Sequence, residues 1–388
     1  MTLEHRIAER IRREGPIPFA DYMTLALYDE PGGFFSRGDG AGRAGRDFVT
    51  SPEVGTLFGA LVARSIDDTW RRLGEPDPFV VIEAGAGRGR LASDVLRANP
   101  ACARALRYVL VERSGVLRAA QRDLLTLEPV DEALGPFARA TDPDDPDEPV
   151  AGVGPIVTSL DELPAIHVDG LVIANELLDN LPFCIAAWGT DGWLEVRVGV
   201  APDGAHFTES LVPSAPELAA SADEVADGIA PKPGDRLPVP TATHEWIASV
   251  ANLVRRGEIL LIDYMAEADE LLERGAPGWL RTYRGHERGM DPLDAPGTQD
   301  ITSDVPLAPL RVAARRAGFE IASEATQAEW LRTLGIEELV SEGDARWRER
   351  AHIGDLEALA ARSRATEAAA LIDPGGLGAH RVVILDAG

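Results

Sequence analysis

Segment 79–91, FVVIEAGAGRGRL, combines an apolar run, a carboxylate and closely spaced glycines. The run ends in Glu83 and continues directly into a G-x-G-x-G turn, which lets a ligand approach the backbone closely. The dinucleotide fingerprint G-x-G-x-x-G places its third glycine one position later, where this chain has Arg90. A carboxylate at the end of the run also suits a ligand with an ammonium group better than one with a pyrophosphate. The candidate ligand-binding residues of this turn are Glu83, Gly85, Ala86, Gly87 and Gly89.

A second acid lies at the end of the next apolar run, RYVLVE (107–112). Glu112 follows Gly89 by 23 residues, close to the ~20 residues at which an acid accepts hydrogen bonds from ribose hydroxyls. The two acids and the glycines together favour S-adenosylmethionine, which has a ribose, an ammonium and a sulfonium but no phosphate. A dinucleotide site and a purely structural turn between a strand and a helix are the alternatives.

These residues require a sheet that brings the ends of several strands together. Short apolar runs alternate with helical patterns along the chain, and such runs are typical of parallel strands that are buried on both faces. The sequence therefore predicts a doubly wound α/β sheet, which binds ligands at the carboxyl ends of its strands. The predicted strands are 79–83, 107–112, 155–160, 170–176, 257–263 and 380–386.

Two further parts accompany the predicted sheet. Residues 1–75 contain two short helices, a glycine-rich loop and a helix from Ser51, its N-cap, to Gly74, and we interpret them as a helical lid segment. Residues 76–388 form the predicted main domain. Within it, an alternating pattern with turn residues predicts a β-meander in an inserted substrate cap at about 184–245.

The composition narrows the range of partners. Acidic residues outnumber basic residues 64 to 38, for a net charge of −26. Nucleic acid and anionic membranes are therefore poor partners, and a basic protein segment or a cationic substrate is better suited. No apolar run approaches the ~20 residues of a membrane-spanning helix, and no signal-peptide pattern begins the chain. With Cys102 and Cys184 as the only cysteines, neither a disulfide framework nor a zinc site is indicated, and we expect a cytoplasmic protein.

Eight motifs resemble, in order and spacing, those of the MidA-like methyltransferases. The resemblance covers nearly the whole chain and implies a seven-stranded class I (Rossmann-like) methyltransferase fold with S-adenosylmethionine as cofactor. That family includes a mitochondrial complex I assembly factor that methylates an arginine of a respiratory-complex subunit, so methylation of a protein arginine is also implied. The motifs are GPIPFADYMTLALYDEPGGFF (15–35), DFVTSPEVGTLFG (47–59), VIEAGAGRGRL (81–91), NELLDNLPF (175–183), LIDY (261–264), TYRGH (282–286), PGTQDIT (296–302) and TQAEWLRTLGI (326–336).

The motif NELLDNLPF (175–183) follows the fourth predicted strand, at the sheet edge that faces the methyl group in this fold class. A carboxylate there can hold a planar guanidinium bidentately and offset its charge. We therefore expect Asn175 and Glu176 to orient the nucleophile, with Asp179 on the same face of a helical turn. The alternatives are that Asp179 caps a helix and that Asn175 bonds to the backbone. His286 is expected either to relay a proton or to act as a structural hydrogen-bond donor.

Further cofactor contacts are predicted outside the glycine turn. Ser51 begins a helix whose free N–H groups could receive the methionine carboxylate, and an ordinary N-cap is the alternative. Asp263, at the end of the fifth predicted strand, either contacts the substrate or anchors a loop. The remaining candidate cofactor residues are Thr50, Arg113, Leu160, Asp161 and Asn175.

Three functions are compatible with these residues. We predict a protein arginine methyltransferase, for which the substrate needs an open acidic groove. A small-molecule O- or N-methyltransferase would instead use Met265 and the Phe34-Phe35 pair to line an enclosed apolar pocket. A non-catalytic assembly factor is the third alternative, although the acids and glycines of the cofactor site are present. Neither a metal ion nor nucleic acid is expected as a partner.

Overall fold

The structure is a computed structural model that describes residues 2–38, 50–135, 152–202, 204, 206–284, 287–288 and 291–388. Part of the predicted glycine-rich loop (39–49) and His286 lie outside the described residues. Among the helices that are described, none combines the length and the apolarity needed to cross a membrane.

The described helices and strands alternate along most of the chain. The helices are α1 Leu3–Glu14, α2 Phe19–Tyr28, α3 Ser51–Val54, α4 Thr56–Arg72, α5 Arg90–Arg97, α6 Gly115–Ala120, α7 Val130–Leu134, α8 Pro216–Ala226, α9 Thr241–Leu253, α10 Ala268–Arg274, α11 Ala276–Trp279, α12 Leu307–Arg316, α13 Gln327–Thr333, α14 Ile336–Arg350 and α15 Leu356–Leu371. The strands are β1 Ile17–Pro18, β2 Phe79–Ala84, β3 Leu106–Val111, β4 Ile156–Leu160, β5 Val168–Asn175, β6 Cys184–Trp188, β7 Trp193–Val200, β8 Phe207–Pro213, β9 Arg236–Val239, β10 Val254–Asp263, β11 Met265–Ala266, β12 Leu280–Arg284, β13 Glu287–Arg288, β14 Asp300–Ser303, β15 Val305–Pro306, β16 Glu320–Thr326 and β17 Arg381–Asp386.

The chain divides into two compact units, and each is assembled from three separate segments. The sheet unit consists of Val49–Asn175, Val250–Ile262 and Phe319–Gly388. The accessory unit consists of Met1–Phe48, Glu176–Ser249 and Asp263–Gly318. The bounds of these units differ from those of the domains predicted from the sequence (1–75 and 76–388, with a cap at about 184–245), and that domain division stays a prediction.

Seven strands of the described residues form the central sheet of the sheet unit, in the order β16-β17-β10-β5-β2-β3-β4. β10, β5, β2, β3 and β4 pair in parallel, and β16 pairs antiparallel to β17. β3 and β4 lie on one side of β2, and β5 and β10 lie on the other, so the strand order reverses between β2 and β5. The carboxyl ends of these two strands are where a doubly wound sheet binds its ligand. The predicted class I, Rossmann-like sheet is confirmed.

The burial of the strands explains which of them could be predicted from the sequence. All residues of β2 and of β3 are buried, because helices cover both faces of a parallel sheet. Phe58 and Leu61 of α4 and Leu371 of α15 belong to the same apolar core. β16 was not predicted, because its sequence EIASEAT has no apolar run and its residues are exposed or half-buried. Its antiparallel pairing with β17 is what holds it in the sheet.

The accessory unit contains the predicted meander. β6, β7 and β8 pair antiparallel in sequence order, and β1 and β9 extend the same sheet. The turn between β6 and β7 is closed by a hydrogen bond from Gly189 N to Gly192 O at 2.9 Å. Phe19, Tyr22 and Trp279 are fully buried in the apolar core of this unit.

The predicted helix 51–74 is interrupted at Gly55, between α3 and α4. A Cβ atom at Gly55 would lie 2.1 Å from the carboxyl carbon of Glu367, so a larger residue would have to displace that carboxylate. Glu367 Oε2 accepts a hydrogen bond from Leu57 N at 2.9 Å, and α15 thereby caps the first turn of α4. Ser51 is the first residue of α3 rather than the N-cap that we expected.

Candidate active site

The glycine turn after β2 has the backbone geometry of a ligand-binding turn. Gly85, Gly87 and Gly89 have φ angles of 70°, 51° and 77°, in the left-handed region that favours glycine. A Cβ atom at Gly89 would lie 2.8 Å from Leu125 Cδ1, so any larger residue there would also have to displace this methyl group. At Gly87, apart from the glycine and its two chain neighbours, no described atom lies within 4 Å of the position that a Cβ atom would take. The backbone of Gly87 therefore borders open space that a ligand can enter.

Glu112 binds this turn through its carboxylate. Its Oε2 accepts a hydrogen bond from Gly87 N at 2.9 Å, and its Oε1 accepts one from Ser114 N at 2.7 Å. Burial raises the pKa of Glu112, and the two N–H groups oppose that shift. Each carboxylate oxygen has a second lone pair that can accept a ribose hydroxyl. Together with the open space at Gly87, this fits S-adenosylmethionine.

Glu83 is buried one residue before the end of β2. Burial raises its pKa to about 7, and a hydrogen bond from the Tyr108 hydroxyl to Glu83 Oε2, 2.7 Å long, acts in the opposite direction. An ammonium group close to Glu83 would favour the charged carboxylate. Tyr108 is fully buried on β3 and was missed from the sequence, because the apolar run around it carries no motif.

Gln121 is a second residue that sequence reasoning missed. Its Nε2 donates a hydrogen bond to Gly87 O at 2.9 Å, and its Oε1 accepts one from Ser159 Oγ at 2.6 Å. The side chain is fully buried. A glutamine 34 positions from its partner leaves no spacing signal in the sequence.

The other predicted cofactor residues of this region lie at the ends of β2, β3 and β4. Leu160 O accepts a hydrogen bond from Glu112 N at 3.0 Å, which brings the end of β4 next to Glu112. Ala86 is buried in the glycine turn, whereas Arg113 and Asp161 are exposed. Their contacts with the cofactor stay predictions.

Ser51 begins only a short helix, and its hydroxyl is bonded within the protein. Its side chain is fully buried, and Oγ donates a hydrogen bond to Gln327 Oε1 at 2.9 Å. α3 has four residues, too few to build the aligned N–H dipoles of an anion site. The predicted capture of the methionine carboxylate and the cofactor contacts of Thr50 and Ser51 therefore stay predictions.

We expect Glu112→Ala to weaken the binding of S-adenosylmethionine by about 1–3 kcal/mol, the cost of leaving partnered polar groups unsatisfied. The variant also leaves Gly87 N without its acceptor, so the turn itself loosens. Titration calorimetry measures the affinity, and the urea midpoint of unfolding shows whether stability changes separately. An unchanged affinity would exclude Glu112 from the ribose role.

Asn175 lies at the point where the strand order reverses. It is the last residue of β5, where it pairs with Ile262 of β10. The residue before it, Ala174, pairs with Ala84 at the end of β2. Asn175 therefore occupies the sheet edge next to the glycine turn, as the sequence predicted for a residue that contacts the cofactor or the nucleophile.

Glu176 follows directly and has an unusual backbone. Its φ angle is +51°, in the left-handed region that a residue with a Cβ adopts only at a cost of about 1–3 kcal/mol. The helical turn begins two residues later, at Leu178. The expected shared helical face of Glu176 and Asp179 therefore does not form. A strained residue at a ligand-binding strand end is nevertheless a recurrent feature of functional sites.

Asp263 anchors the loop after β5, which contains Glu176 and Asp179. Its Oδ2 accepts hydrogen bonds from Leu177 N at 3.1 Å, Leu178 N at 2.7 Å and Asp179 N at 3.3 Å. Its Oδ1 accepts a fourth from Tyr264 N at 2.8 Å, and the carboxyl group is fully buried. Burial, together with the nearby Asp179 carboxylate, raises the pKa of Asp263. Asp263 was expected either to contact the substrate or to anchor a loop, and its four hydrogen bonds show that it anchors the loop.

Asp179 is buried beside an arginine. Burial raises its pKa to about 7, whereas the charge of Arg281 lowers it. Arg281 pairs with Asp304 at 2.5 Å and lies over the Tyr264 ring, 4.7 Å from its centre. Asp179 Oδ1 has no hydrogen-bond partner among the described residues. His286 lies outside the described residues, so its role stays a prediction.

The fold and the glycine turn define the class of this protein as a class I methyltransferase. Residues 61–324 match the model of the family described as S-adenosyl-L-methionine-dependent methyltransferase, and the chain belongs to that family. It is therefore a methyltransferase whose cofactor is S-adenosylmethionine.

Relatives extend the similarity over most of the chain. "Protein arginine methyltransferase NDUFAF7, mitochondrial" of Mus musculus is 30% identical over 341 residues, which cover 84% of this chain and 73% of that protein. The Drosophila melanogaster homolog is 29% identical and covers 82% of this chain and 71% of its own length. A crystal structure of a Burkholderia thailandensis protein bound to S-adenosyl-homocysteine has a TM-score of 0.78 at 28% identity, covering 99% of this chain and 91% of that one.

The names of the relatives correct one expectation. The Drosophila and mouse proteins are named as mitochondrial, so the cytoplasmic location that we expected is wrong. Composition alone does not distinguish these compartments.

Proposed function

We propose that this methyltransferase methylates an arginine side chain of a protein. The observation that carries the proposal is the pair of carboxylates directly after β5, Glu176 in its left-handed conformation and the buried Asp179. Carboxylates suit a cationic guanidinium, and relatives named protein arginine methyltransferases support the same acceptor. A subunit of a respiratory complex is the substrate that the family resemblance implies, and the net charge of −26 favours a basic segment of it.

On the cofactor side, the proposed contacts follow the chemistry of each group. Glu112 accepts the ribose hydroxyls, Glu83 lies towards the ammonium group, and the glycine turn allows close approach. These roles are supported by the open space at Gly87 and by the lone pairs that remain on Glu112. The other proposed contacts come from Thr50, Ser51, Gly85, Ala86, Gly89, Arg113, Leu160, Asp161 and Asn175.

On the acceptor side, the residues hold and orient the guanidinium. When bound, S-adenosylmethionine supplies the methyl group on a sulfonium, so the protein contributes chiefly alignment. A bond forms between a guanidino nitrogen and the methyl carbon, the carbon–sulfur bond breaks, and the nitrogen loses one proton. Glu176 accepts hydrogen bonds from two guanidinium nitrogens, Asn175 orients the group, and Asp179 offsets its charge. His286 is the proposed proton relay.

The test is methyl transfer to the proteins of a strain from which the gene has been deleted. Lysate of that strain is incubated with the enzyme and methyl-labelled S-adenosylmethionine, and the labelled band is digested and examined by mass spectrometry. Label on an arginine of one protein is the expected result. Label confined to the small-molecule fraction would replace this proposal with a small-molecule methyltransferase, and no label in any fraction would favour a non-catalytic assembly factor.

A further inference from the structure

The backbone of Gly87 is held on both sides by buried side chains. Its N–H donates to Glu112 Oε2, and its carbonyl accepts from Gln121 Nε2, each at 2.9 Å. The first of these groups belongs to the peptide plane before Gly87, and the second belongs to the plane after it. Both planes are therefore fixed, although glycine is the residue with the fewest constraints on φ and ψ.

The Gln121 amide is itself oriented by a residue near the end of strand β4. Ser159 Oγ, on β4, donates to Gln121 Oε1 at 2.6 Å, so the amide presents its N–H group to Gly87. One fully buried side chain thus holds the Gly87 carbonyl and connects β4 to the turn after β2.

One further hydrogen bond spans Gly87: Gly89 N donates to Ala86 O at 2.8 Å and closes the turn. Apart from Gly87 and its two chain neighbours, no described atom lies within 4 Å of where a Cβ atom would be, so hydrogen bonds rather than side-chain packing hold Gly87 at φ +51°. Without the hydrogen bond from Gln121, only the turn bond between Ala86 O and Gly89 N restrains the plane after Gly87, so that plane can tilt and the Gly87 N–H can shift relative to Glu112. Glu112 would then lose the bond that fixes one of its carboxylate oxygens.

We propose that Gln121 is a positioning residue for the cofactor: it fixes Gly87 and, through Gly87, holds the Glu112 carboxylate where it receives the ribose hydroxyls. The inference rests on the cofactor role of Glu112 and holds for any methyl acceptor. Cofactor binding alone therefore tests it, independently of the proposed arginine substrate.

The test is a double-mutant cycle measured by calorimetry with S-adenosyl-homocysteine. Gln121→Met keeps the approximate side-chain volume and removes both hydrogen bonds, and we expect it to weaken binding roughly tenfold, the size of effect that a lost buried hydrogen bond has. In the Glu112→Gln background the same change is expected to weaken binding less than twofold further, because Gln121 acts through Glu112. Unchanged affinity in the single variant, or losses that multiply in the double variant, would overturn the proposal.

A matched control separates positioning from general stability. Gln299 is also a buried amide, and its Nε2 donates to Asp291 O at 2.8 Å and Asp294 O at 2.9 Å within the accessory unit. Gln299→Met is expected to lower the unfolding temperature and to leave cofactor affinity unchanged.

Should Gln121→Met not fold, Ser159→Ala replaces it as the test variant, since it removes only the donor that orients the Gln121 amide. A two- to threefold loss of affinity is then expected, and wild-type affinity would overturn the proposal.

Discussion

Glu176→Gln is expected to reduce methyl transfer on the order of a hundredfold or more, while the affinity for S-adenosylmethionine stays nearly unchanged. The amide keeps the shape of the carboxylate but loses the charge that offsets a guanidinium, a loss of roughly 3 kcal/mol in transition-state stabilisation. The left-handed backbone of Glu176 is retained, because Asp263 holds the N–H groups of the residues that follow it. Label transfer to the acceptor protein gives the turnover, and calorimetry gives the affinity.

Asp179→Asn serves as the comparison for this result. Asp179 lies in the short helical turn after Leu177, and its carboxyl group is buried with a pKa raised to about 7 by that burial. If Asp179 supports the loop and Glu176 contacts the acceptor, the asparagine variant retains more activity than Glu176→Gln does. A Glu176→Gln enzyme that binds cofactor and turns over normally would exclude Glu176 from catalysis. An inactive Asp179→Asn enzyme beside it would reverse the two roles.

The sheet could be predicted from the sequence because its inner strands carry their signal locally. In β2 and β3 every residue is buried, and apart from Glu83 and Arg107 every residue is apolar, aromatic or alanine. β16 has no apolar run, and its place in the sheet depends on pairing with β17, some sixty residues further along the chain. The first turn of α4, directly after the break at Gly55, is capped by Glu367, more than three hundred positions away. Such contacts leave no pattern in a window of the sequence.

More of the cofactor-binding residues than of the acceptor-binding residues could be predicted from the sequence, because the cofactor-binding residues carry a local signal. The glycines, Glu83 and Glu112 lie at strand ends, where their chemistry and spacing follow directly from the strand pattern. The support of the turn by Gln121 and Ser159 requires three strands to be placed in order first. On the acceptor side, the helical turn expected at Glu176 begins at Leu178, because Asp263 draws three consecutive N–H groups towards its own carboxylate. No local propensity encodes that contact.

Asp263→Asn is expected to lower turnover on the order of a hundredfold, with a small change in cofactor affinity. A carboxylate offers two oxygens to four N–H groups, whereas an asparagine offers one oxygen and places its NH₂ against the remaining donors. The loop after β5 then shifts, and a displacement of about 1 Å is enough to cost a hundredfold in rate. Label transfer measured at saturating cofactor gives the effect on turnover.

Asp67→Asn is the matched control for this variant. Asp67 is also a buried carboxylate that accepts backbone hydrogen bonds, from Ala101 N at 2.8 Å and Cys102 N at 3.0 Å, within the sheet unit. Its replacement is expected to lower the unfolding temperature, as Asp263→Asn also does, but to leave turnover near that of the wild type. Equal losses of turnover in the two variants would mean that lowered stability, rather than a displaced loop, inactivates the enzyme. Normal turnover of Asp263→Asn would show that Glu176 keeps its position without this anchor.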